Sequence, residues 1–330
     1  MTLLAPTLQT FFTRRLTTQK AASPNTITSY RDTFCLLIGY ATTVTGRAAS
    51  KLDFADLNAE LIGGFLHHLE TDRANSARTR NTRLAAIRSL FHYAAPLHPE
   101  HAADIQRVLA IPQKRFDRAI VTFLTEPETD AILAAPNRQT WTGRRDHALL
   151  QLAVQTGLRV SEIVALTTAD IHLDTPGAHV NVAHGKGRKQ RSTPISASTI
   201  ATVRVWLKEQ NGQPADPLFP SRRGTQLSRD AIEDLVTKHA TNADSCPSLT
   251  TKNVTPHTLR HTAAMRLLQA GVDITVIALW LGHESTETTQ IYIHADLTIK
   301  EKALARTTPP NTPPGRYKPT DDLLAFLRHL

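Results

Sequence analysis

Four residues in the last quarter of the sequence have the types that chemistry on a phosphate requires. His257 and Arg260 are three residues apart, so on a helix their side chains share one face. His283 follows at a predicted turn in the run LGH, and Tyr292 lies further downstream. A hydrophobic core needs no such combination of imidazoles, a guanidinium and a phenol. The spacing therefore predicts a site that holds a phosphate and attacks it through Tyr292.

The predicted reaction transfers a phosphodiester from one oxygen to another. Guanidinium groups are planar and permanently charged, so they can hold the non-bridging oxygens and neutralise charge in the pentavalent state. A phenol is a nucleophile once its proton is removed, and an acid must protonate the leaving 5′-oxygen. Fixed positive groups then supply most of the acceleration. We expect no metal and no other cofactor, because the sequence shows no Asp/Glu cluster of the two-metal kind.

Two residues of the segment TGLRVSE extend this set. A long apolar helix that begins near Arg144 ends at Gly157, and Arg159 follows shortly after the glycine. Taken alone, Arg159 is more typical of a structural role at the start of a helix. Glu162, three residues later, can pair with Arg159 and hold its guanidinium in place.

A β-hairpin is predicted between these two parts of the sequence. The β-prone runs 179–183 and 191–196 flank HGKGRKQ, which places Lys186 near the tip. Basic turns are usually only solvated, but an ammonium between two glycines can also swing into a groove as a proton donor. We assign DNA contacts to three further basic residues of this segment, Arg188, Lys189 and Arg191.

The bulk composition favours a polyanionic partner. The 330 residues fit two domains and carry 38 Lys+Arg against 29 Asp+Glu, a formal charge of +9. Double-stranded DNA is the partner that we expect. Cys35 and Cys246 stand in no metal-ligand spacing and are expected to be reduced thiols. The sequence predicts neither a membrane span nor a secretory signal, and hence a cytoplasmic, nucleoid-associated protein.

The first third of the chain predicts a small bundle of four to five helices. Ser23, Asn58 and Ser76 each stand where they can cap a helix, and Thr125 with Glu128 has the form of a capping box. We therefore divide the chain into a helical DNA-binding domain (1–110), a basic linker (111–122), a catalytic domain (123–306) and a tail (307–330).

Two basic groups in this part of the chain could follow the DNA backbone. They are Arg73, Arg78, Arg80, Arg83 and Arg88 in and before the fourth helix, and Lys114, Arg115 and Arg118 in the linker. The arginines of the first group have no acidic residue among them, which favours a phosphate-contacting surface. A solvated basic face and a plain solvated linker are the structural alternatives.

The tail after Tyr292 contains a proline-rich stretch and a short amphipathic segment, 320–330. Eleven residues cannot form a stable helix alone, so this segment must dock. A proline spacer gives it reach. Docking on the same chain and docking on a neighbouring copy both stay open.

These motifs together resemble the tyrosine recombinases, the phage-integrase and Xer-like family, over nearly the whole chain. The residues that carry the resemblance are Arg159 in TGLRVSE, Lys186 in GKGRKQR, His257 and Arg260 in HTLRH, His283 in LGH and Tyr292 in TTQIYIH. Each motif alone is weak, whereas all six in this order are specific. The tail is longer than a minimal Xer-like tail.

The resemblance implies a mainly α fold of two domains: a SAM-like core-binding bundle, and a mixed α+β catalytic domain with a small antiparallel sheet. Together they would form a C-shaped clamp on DNA. Arg159 and Arg260 would hold the scissile phosphate, with Glu162 supporting the first arginine. Tyr292 would form a 3′-phosphotyrosine.

Three further roles are implied by the same resemblance. Lys186 would protonate the leaving 5′-hydroxyl, His257 would assist proton transfer, and His283 would hydrogen-bond the phosphate. The enzyme would need neither metal nor ATP. It would act as a homo-tetramer on two recombination sites through a Holliday junction, with directionality or partner proteins as accessories.

Two rival functions remain at this stage. A type IB topoisomerase would use the same phosphotyrosine step only to relax DNA, but the helical N-terminal part and the compact size argue against it. A catalytically inert DNA-binding accessory protein is the other rival. The complete set of six residues argues against that interpretation.

Overall fold

The computed structural model describes residues 3–116, 121–174, 176–182, 190–243, 245–283 and 289–292. The chain divides into two units, Met1–Arg118 and Ala119–Leu330, and the division falls inside the predicted linker. Within the described ranges, no helix is both long and apolar enough to cross a membrane. The predicted tail, Arg118 and the hairpin tip that contains Lys186, Arg188 and Lys189 lie outside the described residues.

The described part of the first unit is helical. Its α-helices are α1 (Leu4–Thr10), α2 (Pro24–Thr45), α3 (Ala59–Thr71), α4 (Ala77–Ala94) and α5 (Ala102–Ala110), and α1 continues as a π-helix, Phe11–Gln19. The predicted caps are confirmed, because the side chains of Ser23, Asn58 and Ser76 each accept a hydrogen bond from a backbone N–H of the first turn. The apolar faces of these helices bury one core, with Phe11, Leu37 and Leu90 fully enclosed.

The second unit combines helices with one small sheet. Its helices are α6 (Glu126–Ala134), α7 (Trp141–Thr156), α8 (Val160–Ala165), α9 (Ala197–Gln210), α10 (Arg229–Thr241), α11 (Pro256–Gln269) and α12 (Ile274–Leu281). The predicted capping box is present: Thr125 and Glu128 each bind the other's backbone N–H through a side-chain oxygen.

The sheet has the order β1 (Ile171–His172), β2 (His179–Val182), β3 (Arg191–Pro194), and both pairs are antiparallel. In the register of the second pair, Val182 lies opposite Arg191, so the two strands lead into the segment that contains Lys186. The prediction of two paired strands around this segment is confirmed. A mainly helical fold with a small antiparallel sheet is likewise confirmed.

Two glycines end the helices on which the site is built. α7 ends at Gly157 (φ +65°), where an added Cβ would lie 2.7 Å from Leu281 Cδ2. α12 ends at Gly282 (φ +64°), where an added Cβ would lie 2.7 Å from Arg191 Nη1. Only glycine adopts this backbone without strain. The two turns therefore allow α7, α12 and a guanidinium to approach closely.

Candidate active site

Arg159 is placed by the start of α8. Its backbone N–H donates to Glu162 Oε2 over 2.8 Å, and its Nη1 donates to Glu162 Oε1 over 2.9 Å. One carboxylate thus fixes both the helix start and the guanidinium. The predicted pairing of Arg159 with Glu162 is confirmed.

A second arginine holds the other side of the same carboxylate. Arg191 on β3 donates from Nη1 and Nη2 to the two oxygens of Glu162, over 3.0 and 2.7 Å. Burial alone would raise the pKa of Glu162, but the hydrogen bonds and charge of Arg191, together with Arg159, bring this pKa below its usual value. The guanidinium of Arg191 is therefore bound within the protein, and its predicted DNA contact stays a prediction.

The C-terminal end of α12 gathers three guanidinium groups. The carbonyl oxygens of Trp280, Leu281 and Gly282 accept bonds of 3.1, 2.7 and 2.8 Å from three arginines, respectively Arg191, Arg260 and Arg159. The last carbonyls of a helix lack partners in the helix and carry its negative partial charge. The C-terminal end of α12 consequently favours the binding of positively charged groups. The sequence does not reveal this feature, because no motif marks a backbone carbonyl.

Arg260 is the most deeply buried of the three, with 4% of its surface exposed. Its Nη1 donates to the carbonyl of Gly157 over 2.6 Å, which ties α11 to the end of α7. Burial, followed by the charge of Arg159, lowers the pKa of Arg260 to about 10, so the group stays charged at neutral pH. A guanidinium has five N–H donors, and the two carbonyl bonds do not exhaust them.

Tyr292 lies close to Arg260 and Arg159. Only 2% of its surface is exposed, and its hydroxyl is 3.0 Å from Nδ1 of His261 on α11. Burial raises the pKa of the phenol, and the positive charges of Arg260 and Arg159 act in the opposite direction. The phenol is therefore protonated at neutral pH, within the electrostatic range of both arginines.

His261 was not singled out in the sequence, although it belongs to the motif HTLRH. Burial, then the charges of His257 and Arg260, lower its pKa to about 4. The neutral ring can accept the hydroxyl proton of Tyr292 at Nδ1 when its own proton is on Nε2. The signal that could have found it is spacing: His261 follows His257 by one helical turn.

His283 and His257 occupy different environments. The His283 ring lies nearly parallel to the Tyr292 ring, with 6.5 Å between centroids, and its Nδ1 is 2.7 Å from Thr289 Oγ1. Burial and the charges of Arg260, Arg159 and Arg191 lower the pKa of His283 to about 4. His257 is exposed and stacks on His261 at 6.3 Å. The structure thus brings His283 to the nucleophile directly and His257 only through His261.

The assembled side chains can bind an anion and attack it. Arg159, Arg260, His283 and Tyr292 come together from the start of α8, from α11, and from the segments that follow α12. The described residues contain no group of three His, Cys, Asp or Glu side chains that could hold a metal ion.

The arginines of the first unit are placed less uniformly than their sequence suggests. Arg80 is buried and donates from Nη1 to the carbonyl of Pro112 over 2.8 Å, so its guanidinium is bound within the protein, and its predicted phosphate contact stays a prediction. Arg83 is half-buried and donates to Thr33 Oγ1 over 3.0 Å, and Arg88 donates to the carbonyl of Ile111. Each of these three guanidiniums thus has at least one acceptor within the protein, although the buried Nε atoms of Arg80 and Arg88 have none among the described residues.

The remaining basic residues of this unit are exposed. Arg78 lies over the Phe116 ring, with its Cζ 5.3 Å from the centroid, and Lys114 Nζ is 2.8 Å from Glu70 Oε2. Arg73 and Arg115 also face solvent. Their predicted DNA contacts stay predictions.

Comparisons with known proteins identify the family of this chain. The sequence pattern of the phage integrase family matches residues 122–298, and that of the phage integrase N-terminal SAM-like domain matches residues 10–96. A putative integrase/recombinase of Sinorhizobium fredii is 55% identical over 328 residues, covering 99% of this chain and 98% of that protein. The tyrosine recombinase XerD of Pseudomonas putida is 32% identical over 287 residues, covering 84% and 88%.

A solved structure shares the fold. The XerH site-specific recombinase, in a post-cleavage complex with its palindromic difH substrate, matches with a TM-score of 0.69. The match covers 87% of this chain and 81% of that one, at 22% identity. The resemblance inferred from the motifs is confirmed. The chain belongs to the phage integrase family of tyrosine recombinases, enzymes that transfer DNA strands in site-specific recombination.

Proposed function

We propose that this chain cuts and rejoins DNA at specific sites through a covalent 3′-phosphotyrosine at Tyr292. One observation carries the proposal. Arg159 and Arg260 donate to the adjacent carbonyls of Gly282 and Leu281, and the phenol of Tyr292 lies within the field of both guanidiniums. A phosphate bound by these arginines would therefore lie next to the nucleophile.

The proposed step breaks one phosphodiester bond and forms another. The phenolic oxygen of Tyr292 attacks the phosphorus, the phosphorus–O5′ bond breaks, and the leaving 5′-oxygen takes up a proton from Lys186. Arg159 and Arg260 neutralise the non-bridging oxygens as charge builds up. His283, which is neutral and beside the phenol, donates a hydrogen bond to the phosphate. His257 assists proton transfer from its exposed position on the rim.

The phosphotyrosine keeps the energy of the original bond. A 5′-hydroxyl from a second strand can therefore reverse the step and complete the exchange with neither ATP nor a metal ion. We extend the proposal to a homo-tetramer that joins two duplexes through a Holliday junction, with directionality factors or a partner recombinase as accessories. Several structural neighbours were solved as complexes with their DNA, among them the Tn1549 transposon integrase with transposon right end DNA. These complexes support duplex recombination sites as the partner.

Exposed basic residues are proposed to bind the DNA backbone. They are Arg73, Arg78, Lys114 and Arg115 among the described residues, and Arg118, Arg188 and Lys189 outside them. Phosphate contacts of this kind give affinity and salt dependence but no sequence preference. The tail, 307–330, is proposed to dock on this chain or on a neighbouring copy.

A suicide substrate tests the proposal. Duplexes that bind the Tyr292→Phe variant are first selected from a random pool, which yields a cognate site without cleavage. A nick placed next to the scissile phosphate lets the short 5′-fragment diffuse away and traps the covalent intermediate. Wild-type protein should then form a protein–DNA adduct, and Tyr292→Phe should bind equally well but form none.

Two outcomes would contradict the proposal. A wild-type protein that binds the selected duplex and yields no adduct would remove the phosphotyrosine step. An adduct accompanied only by relaxation of supercoiled DNA, without joints between two duplexes, would instead support a topoisomerase.

A further inference from the structure

The proton of the Tyr292 hydroxyl must leave before its oxygen can bond to phosphorus. Within the described residues, the group placed to receive it is His261, with Nδ1 3.0 Å from the hydroxyl oxygen. This distance lies inside the range for a general base. The two rings lie edge to face, with centroids 5.6 Å apart and planes at 62°.

The other candidate bases are placed differently. His257 is exposed, and its ring stacks on His261 and not on Tyr292. His283 lies parallel to the phenol and directs its Nδ1 to Thr289. Glu162 is held by two arginines.

We propose that His261 is a catalytic residue, which accepts the phenolic proton of Tyr292 at Nδ1 as the phenolic oxygen attacks the phosphorus. The inference rests on the proposed function of Tyr292. The O–H bond of the phenol and the phosphorus–O5′ bond break, while the N–H bond at His261 and the phosphorus–phenol bond form. In the reverse step a 5′-hydroxyl attacks, and His261 returns the proton to the departing phenol.

The surroundings of His261 make it a weak base in the absence of DNA. Burial and the positive charges of its own helix keep His261 neutral and a weak base, while the phenol is buried and protonated. A phosphate bound by Arg260 offsets one of these positive charges and so strengthens the base. The bound substrate therefore promotes the proton transfer that its own cleavage requires.

The variant His261→Asn separates proton transfer from orientation. The side-chain amide can still accept a hydrogen bond from the phenol, but it cannot take the proton. Proton transfer by a positioned base contributes about 10²–10⁴-fold, so we expect the rate of adduct formation on the nicked duplex to fall by about 10²-fold. DNA affinity should not change. His172→Asn, at an exposed position on the sheet of the same unit, is the matched control and should react at the wild-type rate.

A substrate with sulfur in place of the bridging 5′-oxygen shows which of the two proton transfers a variant has lost. A thiolate leaves without protonation, so this substrate should restore cleavage by Lys186→Ala. It should not restore cleavage by His261→Asn, because this variant lacks the base that accepts the proton of the nucleophile. As a second variant, His261→Ala should lose the same activity and regain part of it when imidazole is added, provided that its thermal unfolding matches that of the wild type.

The outcomes distinguish this inference from the proposed function. A His261→Asn rate within about threefold of wild type, well short of the loss expected for a missing base, would overturn the proton-transfer role and leave the phosphotyrosine mechanism intact. Full recovery of His261→Asn on the sulfur substrate would also overturn it. A wild-type protein without an adduct would instead refute the proposed function.

Discussion

Arginines are used in two different ways in the two units of this protein. In the first unit, Arg80 and Arg88 extend from α4 and bind the backbone of 111–112, which follows α5. In the second unit, Arg159 and Arg260 come from distant parts of the sequence and meet at the end of α12. Both pairs donate to backbone carbonyls. Only the second pair surrounds a nucleophile.

The difference shows that local charge density is a poor guide to anion binding. A run of arginines on one helix fans out around its axis, so some members become buried and bind the protein's own carbonyls. Arginines from separate segments can converge on one point, because the fold brings a carboxylate and a helix end to the same place. The anion site is therefore marked by arginines that meet from distant segments, and not by a run of arginines along one helix.

The largest effect is expected when the planar guanidinium of Arg260 is replaced. In Arg260→Lys a single compact nitrogen replaces the planar fork whose two separate nitrogens bind Gly157 and Leu281. Because removing one preorganised donor costs about 10²–10³-fold, we expect adduct formation to fall by about 10³-fold. The matched control is Arg204→Lys, which alters an exposed arginine bound to the carbonyl of Leu173 in the same unit. Equal rates in the two variants would contradict the convergent site.

The next effect concerns the carboxylate that organises the cluster. Glu162→Gln removes the charge between Arg159 and Arg191 and turns an amide N–H toward a guanidinium. Groups that orient catalytic residues typically contribute about 10–100-fold, and we expect that loss in single-turnover cleavage. Glu209→Gln is the control, because Glu209 makes a similar two-bond pair with Arg144 near the surface, and surface pairs contribute about 0–1 kcal/mol. If both variants cleave equally fast, the carboxylate does not organise the site.

Much of this architecture could be predicted from the sequence, because it depends on local rules. Helix caps such as Ser76 and Asn58 need only the next three residues. The pairing of Arg159 with Glu162 is a contact within one helical turn. The family motifs also identify Tyr292 as the nucleophile, with both arginines.

What could not be predicted depends on packing between distant segments. The pairing of Arg191 with Glu162 could not be predicted, because nothing near Arg191 in the sequence reveals that β3 brings it there. The burial of Arg80 could not be predicted for the same reason, since its acceptor Pro112 lies more than one helix away in the sequence. His261 was missed because its role appears only when Tyr292 folds back onto α11.

Acid should weaken the second unit through its buried imidazoles. Burial holds the pKa of His261 and His283 at about 4, below the ordinary value of 6.5. Between these values the unfolded chain binds more protons than the folded one, so stability falls as pH drops from about 6.5 to about 4. For His283 we expect a loss of about 1–2 kcal/mol between pH 7 and pH 5 after allowing for its partial exposure.

Denaturant unfolding of wild type and His283→Asn at both pH values measures this loss. The asparagine does not titrate, so the variant should be less sensitive to acid than the wild type by that amount. His172→Asn, at an exposed position, should keep the wild-type sensitivity. An unchanged acid sensitivity in His283→Asn would mean that the His283 ring is not held neutral by its surroundings.

The smallest effects are expected from substitutions of two arginines in the first unit, one buried and one exposed. Arg80→Leu leaves the carbonyl of Pro112 without its donor, so we expect the free energy of unfolding to fall by about 1–3 kcal/mol. DNA affinity of the folded protein should barely change. Arg78→Leu, two residues away but exposed, should alter stability by less than about 0.5 kcal/mol. It should instead reduce the slope of log affinity against log salt by about one.

The two arginines are neighbours on one helix and have the same charge, so the sequence alone gives no reason for different behaviour. Burial does, because the Arg80 guanidinium is enclosed and bound to Pro112, whereas Arg78 faces solvent. A weaker salt dependence in Arg80→Leu with unchanged stability would reverse the assignment. It would also show that the arginines of α4 act together on DNA, as their run in the sequence first indicated.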